Sequence, residues 1–219
     1  DGFLSLEQVT DKLGVKFNIM NLHEYLDQFT IRPCDENPTL PGRRGLNLTE
    51  EELKEADAIA DGLMESAAEC DMTRENLLPS VRAYYLTRKI MSDRDCNAFT
   101  APCPDMCSTR RLNEEKCTLC LTHSLNEENG IPSACETDFS ALVCKIILEN
   151  LTRQATYMGN TAKLILKDGR PVASDLAGVP DEELESVKDL PDLALTLHSV
   201  ANRKLKGYDA AEEDYAIRS

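Results

Sequence analysis

The feature that most constrains the fold is a junction between a loop and a helix near the middle of the chain. The loop starts at Gly130 and carries Glu136 and Asp138, and apolar residues then recur with helical spacing from 139 to 151. The start of a helix has unpaired N–H groups and partial positive charge, which hold nearby carboxylates in their ionised form. Ionised carboxylates bind hard divalent cations, but acids also favour first helical turns for stability alone. Both interpretations of the two acids stay open on this local evidence.

Segments with strand and helix patterns alternate around this junction. Short apolar runs predict strands over 96–101, 117–122 and 155–158, and helical spacing predicts helices over 49–67 and 73–92. Such alternation is typical of an α/β fold, with helices on the faces of a parallel sheet. Ligands of these sheets bind at the carboxyl ends of strands. The chemically capable residues just after a predicted strand, or at a helix start, are Cys103, Ser124, Glu136 and Asn160.

The pattern changes after residue 160. Residues 163–172 predict a strand that reaches a turn at Asp168 and Gly169, and Leu193 to His198 alternates as a strand does. The chain is therefore expected to hold an α/β domain over 1–160 and, over 161–219, the beginning of a β-rich domain that it does not complete.

Charge and hydropathy exclude several classes of partner. The net charge of −15 argues against binding to nucleic acid or to an anionic membrane surface. No apolar run has the length of a membrane span, and the first residues do not resemble a signal peptide. The chain has no initiator Met, so we expect a processed or interior piece of a longer, cytoplasmic protein.

Four side chains form the first candidate site. Glu136, Asp138, Asn160 and His198 would offer oxygen atoms and one imidazole, a mixed set that suits Mn²⁺ or a similar divalent ion. Their spacing alone does not establish that they meet in space.

The cysteines offer two further candidates. Their odd number, nine, and their positions in apolar runs indicate reduced thiols rather than a disulfide framework. A structural zinc site is one alternative, and its ligands would be Cys103, Cys107, Cys117 and Cys120. A nucleophilic thiol is the other, with Cys103 or Cys107 beside His123 as a general base. Buried thiols and a histidine bonded to the backbone are the simpler interpretations of the same residues.

Three ordered motifs resemble the superfamily of L-fucose isomerase and L-arabinose isomerase. The motifs run from Cys96 (CNAFT) through Cys117–Asp138 (CTLCLTHSLNEENGIPSACETD) to Tyr157–Asn160 (YMGN). The later stretch Leu197–Asp209 (LHSVANRKLKGYD) is similar to a histidine-bearing strand of that family. The resemblance is strongest over about residues 94–160 and extends over nearly the whole chain.

The resemblance implies a fold, an activity and an assembly. The fold would be the second Rossmann-like α/β domain of a three-part subunit, followed by the start of a barrel-like domain. The activity would be Mn²⁺-dependent interconversion of an aldose and a ketose through an ene-diol. The subunits would form a trimer or hexamer, and this chain alone would be inactive because part of the metal shell lies beyond it.

The resemblance also implies roles for individual residues. Glu136, Asn160 and His198 would hold the metal, Glu136 and Asp138 would carry the acid–base chemistry, and Cys103 and Ser124 would contact the sugar. The family has an acid where this chain has Asn160. An amide oxygen can bind a metal but cannot accept a proton as a base. Either Asp138 would take that role, or the acid would come from elsewhere, or this branch would have altered chemistry. The alternative is a carbohydrate-binding relative without catalysis.

Overall fold

The computed structural model describes residues 5–22, 24–25, 48–108, 112, 116–163, 166–167, 170–171, 194–198, 200–204, 207–208 and 214–218. The helices, numbered along the chain, are α1 (Leu6–Leu13), α2 (Glu50–Ser66), α3 (Arg74–Asp93), α4 (Cys103–Cys107), α5 (Cys120–Glu128) and α6 (Phe139–Thr152). The strands are β1 (Glu69–Cys70), β2 (Phe99–Thr100), β3 (Ser133–Ala134), β4 (Asn160–Lys163), β5 (Leu166–Lys167), β6 (Arg170–Pro171), β7 (Ala194–Leu197) and β8 (Ala216–Ile217). The chain thus mixes helices with small sheets, which agrees with the α/β class in general.

The chain is divided into two compact units. The first comprises residues 1–157 and 200–219, and the second comprises residues 158–199. In the second unit β4 pairs antiparallel with β7, and β5 pairs antiparallel with β6. The strand predicted from Leu193 to His198 is confirmed as β7. The turn predicted at Asp168 and Gly169 lies outside the described residues.

Helices α2 and α3 pack together to form one hydrophobic core. The helix α2 begins with a reciprocal cap in which Thr49 and Glu52 each accept the other's backbone N–H, as the sequence pattern predicts. Its helical spacing places small and branched apolar residues on one face, where they meet the apolar face of α3. The buried members of this core are Ala56, Ala60, Leu63, Leu77, Leu78 and Val81.

A short parallel pair, β2 and β3, positions the loops of interest. Phe99 lies opposite Ser133 and Thr100 lies opposite Ala134. The strand predicted over 96–101 is therefore present, but it is limited to two residues. Helix α6 packs against both strands and α5 packs against β3, so helices cover this pair.

The strand predicted over 117–122 is wrong. Helix α5 begins at Cys120, and Ser124 lies inside that helix rather than after a strand. The apolar and polar residues alternate over too few positions to distinguish a strand from the first turn of a helix. The packing of α5 against α3 and β3 then decides the conformation.

Two other predicted strands are also wrong. Residues 155–158 have no strand pairing, and β4 instead begins at Asn160. The alternating residues from Val15 to Ile19 are also outside any strand. A short apolar run becomes a strand only when a partner strand satisfies its backbone groups, and the sequence of the run alone does not report that partner.

Helix α6 buries charged side chains and exposes apolar ones. Lys145 and Glu149 are buried, whereas Ile147, Leu148 and Leu151 are exposed. Within the described residues, no helix has both the length and the apolar character required to cross a bilayer.

Candidate functional site

The carboxyl ends of β2 and β3 bring two loops together. The carbonyl oxygen of Ala101 accepts the N–H of Cys103 at 2.8 Å and the N–H of Thr137 at 3.0 Å. Because Ala101 follows β2 and Thr137 lies in the loop after β3, this shared acceptor joins the two strand ends. The sequence predicted candidate residues at strand ends, and for Cys103 and Glu136 the structure agrees.

Glu136 lies in a left-handed turn at this edge. Its φ angle is +64° and that of Thr137 is +53°. Residues other than glycine rarely adopt positive φ, and for a β-branched residue such as Thr137 this backbone conformation is a true outlier. The Glu136 side chain is exposed, whereas the residues before it, from 132 to 135, are buried. The turn therefore projects one carboxylate into solvent from a closely held backbone.

Asp138 caps helix α6. Its Oδ1 atom accepts the N–H of Ala141 at 2.9 Å, and its backbone is extended, as N-cap residues require. One carboxylate oxygen thus has a structural role, as the simpler interpretation of the sequence anticipated. The role of Asp138 in acid–base chemistry stays a prediction.

Three buried side chains converge directly behind the Glu136 turn. The Sγ atom of Cys103, the imidazole of His123 and the Sγ atom of Cys135 all lie within 4.8 Å of one another. In the part of the chain that the structure describes, these three form the group of cysteines, histidines and acids that could hold a metal ion. We call them the Cys103–His123–Cys135 cluster. Of the four cysteines in the alternative zinc site, the cluster includes Cys103.

Hydrogen bonds fix the imidazole of His123 within this cluster. Its Nε2 atom lies 3.1 Å from the Sγ atom of Cys103, and its Nδ1 atom lies 2.7 Å from the Oγ atom of Ser133. The side-chain amide of Asn126 also donates to that hydroxyl, at 3.2 Å. The ring of Phe99 stacks on the imidazole with 5.5 Å between ring centres. His123 is fully buried, so its position is set on every side by the protein.

The thiol of Cys103 is held in its neutral form. A hydrogen bond with Cys135, and burial after it, raise the pKa of Cys103, although the backbone N–H of Glu136 donates to its sulfur and opposes the shift. Cysteine nucleophiles need a thiolate and access to substrate. Cys103 is 4% exposed, so a nucleophilic role for the Cys103 and His123 pair has little support here.

Buried ionisable side chains lie next to Ser133. The Oε1 atom of Glu127 accepts the backbone N–H of Ser133 at 2.6 Å and lies 3.0 Å from the Nζ atom of Lys145. Burial and a hydrogen bond with Glu149 raise the pKa of Glu127 to about 8, although Lys145 opposes the shift. Glu149 in turn accepts the hydroxyl of Thr156 at 2.7 Å. These interactions brace the strand that precedes Glu136.

The remaining predicted site residues lie in different places. Ser124 is buried and donates its hydroxyl to the carbonyl of Ala201 at 2.6 Å. Asn160 is exposed at the first position of β4, opposite Leu197, and the half-buried His198 follows Leu197 directly. Asn160 and His198 are thus neighbours in the second unit, whereas Glu136 and Asp138 belong to the first.

Sequence reasoning missed Cys135 and Ser133 as members of a site. Cys135 stands immediately before Glu136, inside the motif that drew attention to the acids. A cysteine directly after a strand, with a second cysteine after the neighbouring strand, was the available signal. It required the pairing of β2 with β3, which brings Cys103 and Cys135 to the same edge.

No protein-family model, curated protein or solved structure matches the chain. Any assignment of function therefore depends on the residues and their geometry.

Proposed function

We propose that the chain is part of a divalent-metal-dependent aldose–ketose isomerase that works through an ene-diol. The observation that carries the proposal is the exposed carboxylate of Glu136, held in a left-handed turn at the carboxyl ends of two parallel strands. Strained backbone positions cluster at functional sites, so the turn motivates a functional hypothesis for Glu136. The proposal also draws on the ordered motifs that resemble the isomerase superfamily.

The residues of the chain would divide the reaction between them. Glu136, Asn160 and His198 would hold Mn²⁺, for which carboxylate, amide and imidazole donors are suitable. When bound, the ion supplies Lewis acidity for the sugar carbonyl. Asp138 would move the proton between the two carbons together with Glu136, because Asn160 cannot accept one. Cys103 and Ser124 would line the sugar site.

The proposal includes the setting of the site. Residues 1–160 would be a Rossmann-like domain and residues 161–219 the start of a barrel-like domain, in a cytoplasmic homo-oligomer. Helix α6 exposes Ile147, Leu148 and Leu151. Apolar surface of this kind supports contact with another subunit of a trimer or hexamer.

A metal titration of the whole protein that contains this chain tests the proposal. Mn²⁺ would be added while its electron spin resonance signal reports the unbound ion, with Glu136→Gln and the control Glu65→Gln compared in parallel. Glu65 is an exposed glutamate on α2. We expect Glu136→Gln to weaken Mn²⁺ binding and sugar turnover by at least about 100-fold, and Glu65→Gln to change neither.

Two outcomes would favour the alternatives. Sugar binding without Mn²⁺ binding or turnover would indicate a non-catalytic carbohydrate-binding relative. Stoichiometric zinc held by Cys103, Cys107, Cys117 and Cys120, without Mn²⁺ binding or turnover, would indicate a structural zinc protein.

A further inference from the structure

We propose that Cys103, His123 and Cys135 bind one Zn²⁺ ion, which ties together the strand ends directly behind the Glu136 turn. This inference does not depend on the isomerase proposal. It concerns buried sulfur and nitrogen atoms, whereas the proposed Mn²⁺ ligands are other residues.

The cluster already has dimensions close to those of a zinc site. With Zn–S near 2.3 Å and Zn–N near 2.0 Å, tetrahedral geometry places ligand atoms about 3.5 Å apart. The three ligand atoms here lie within 4.8 Å of one another, and Sγ of Cys103 lies 3.1 Å from Nε2 of His123. Shifts of a fraction of an ångström to about one ångström would complete the arrangement.

The ligands come from three different elements. Cys103 begins α4 just after β2, His123 lies on α5, and Cys135 follows β3. Each of the two strands has only two residues, which is little backbone pairing to hold a parallel edge together. A metal bound between these elements would supply a cross-link that the short strands lack, which is the usual role of structural zinc.

The surroundings of His123 are those of a metal-binding histidine. Histidine ligands normally donate their other ring N–H to an oxygen, which fixes the tautomer. The Nδ1 atom of His123 lies 2.7 Å from Oγ of Ser133. If Nδ1 carries the ring proton and donates it to this hydroxyl, Nε2 keeps a free lone pair on the side of the two sulfurs. Ser133 is itself held by Glu127 through its backbone N–H.

The donor set selects the metal. Two thiolates and one imidazole suit Zn²⁺, whereas Mn²⁺ prefers oxygen ligands. Binding converts the thiols of Cys103 and Cys135 to thiolates and releases two protons to solvent, with no change of oxidation state. Both sulfurs are buried, so the paired charge of the ion offsets the cost of thiolates in the interior.

Cys103, His123 and Cys135 would fill three of the four positions of a tetrahedral zinc ion.

Metal analysis of the purified chain tests the proposal, and Co²⁺ serves as a spectroscopic substitute for Zn²⁺. We expect one zinc per chain, and an intense sulfur-to-cobalt absorption band when the chelated protein is titrated with Co²⁺. Cys103→Ser, Cys135→Ser and His123→Asn should each weaken Co²⁺ binding by at least about 100-fold. The control Cys144→Ser, at an exposed thiol on α6, should bind as the unsubstituted chain does.

The outcome for the unsubstituted chain decides the matter even if the variants fail to fold. Absence of Zn²⁺ and Co²⁺ binding, Co²⁺ binding without a sulfur band, or a disulfide between Cys103 and Cys135 would each overturn the proposal. Glu136→Gln separates the two proposals, because it should abolish Mn²⁺ binding and leave the bound zinc unchanged.

Discussion

The Nζ atom of Lys145 lies 3.0 Å from the Oε1 atom of Glu127, and the two side chains are only 5% and 2% exposed. Lys145 also donates to the carbonyl of Thr156 at 3.0 Å. This buried pair joins α6 to α5, and both helices pack against the strand that leads to Glu136.

Removal of the buried cation should be strongly destabilising. Glu127 is ionised above its pKa of about 8, so Lys145→Met then leaves a buried carboxylate without its cation. We expect the free energy of unfolding to fall by about 3–5 kcal/mol at about pH 9. Chemical denaturation monitored by circular dichroism measures this change. Lys89→Met is a matched control, because Lys89 pairs with Glu52 at the same 3.0 Å but both side chains are 26% exposed. It should cost about 1 kcal/mol or less, and equal losses in the two variants would contradict the account.

The raised pKa of Glu127 predicts a pH dependence of stability. Between about pH 4.5 and about pH 8 the folded chain holds a proton on Glu127 that the unfolded chain releases. The protonated Glu127 therefore contributes its full stabilisation below about pH 4.5. This stabilisation is lost as the pH rises through about 8, and the free energy of unfolding falls by up to about 1.4 kcal/mol per pH unit.

The substitution Glu127→Gln tests whether Glu127 causes this pH dependence. Gln keeps an oxygen for the N–H of Ser133 but cannot titrate, so the fall in stability from pH 5 to pH 8 should become smaller. Urea unfolding at several pH values compares the variant with the control Glu65→Gln, which should keep the slope of the unsubstituted chain. An unchanged slope in Glu127→Gln would show that the proton is bound elsewhere.

The two proposed roles of Asp138 can be separated. Asp138→Asn keeps the oxygen that accepts the N–H of Ala141, so its stability should stay within about 0.5 kcal/mol, whereas Asp138→Ala should lose about 1 kcal/mol. If Asp138 also moves the substrate proton, both variants should lose at least about 100-fold in turnover. A fully active Asp138→Asn protein would limit Asp138 to capping the helix.

We expect the left-handed turn at Glu136 and Thr137 to lower the stability of the fold and to strengthen Mn²⁺ binding. Thr137 has positive φ and a buried hydroxyl without a hydrogen-bond partner among the described residues, so Thr137→Gly should stabilise the fold by about 1 kcal/mol. A looser turn should also weaken Mn²⁺ binding several-fold.

Arg153→Gly is the control for this substitution. Arg153 has a φ angle of +56° where α6 ends, and it is exposed. Gly there should give a similar gain in stability with no change in Mn²⁺ affinity. Thermal unfolding and the Mn²⁺ titration provide both values, and an unchanged affinity in Thr137→Gly would show that the strained turn does not organise the site.

The sequence predicted the helices whose signals are local. The capping box at Thr49 and Glu52, the long apolar spacing of α3 and the run from Phe139 all correspond to helices in the structure. Each signal depends on residues within a few positions of one another. Local interactions of this kind depend little on contacts with distant parts of the chain.

The features that the sequence did not predict depend on contacts between distant segments. The spacing of Lys145 and Glu149 suggests an exposed ion pair on a helix surface. Both are buried because Glu127, from another helix, meets Lys145 in the interior. Likewise Cys103 and Cys135 meet only through the pairing of β2 with β3, and a short alternating pattern at 117–122 did not reveal that α5 brings His123 between them.

The central claim is that Glu136 belongs to a metal-assisted isomerase, and hydrogen exchange in the substrate tests it most directly. The whole protein with Mn²⁺ would be incubated in D₂O with pentoses, deoxyhexoses and hexoses, and deuterium at C2 followed by nuclear magnetic resonance. An ene-diol route predicts deuterium at C2 of at least one aldose–ketose pair, lost in Glu136→Gln and kept in Glu65→Gln. No deuterium at C2 of any of these sugars, or equal incorporation by Glu136→Gln, would contradict the claim.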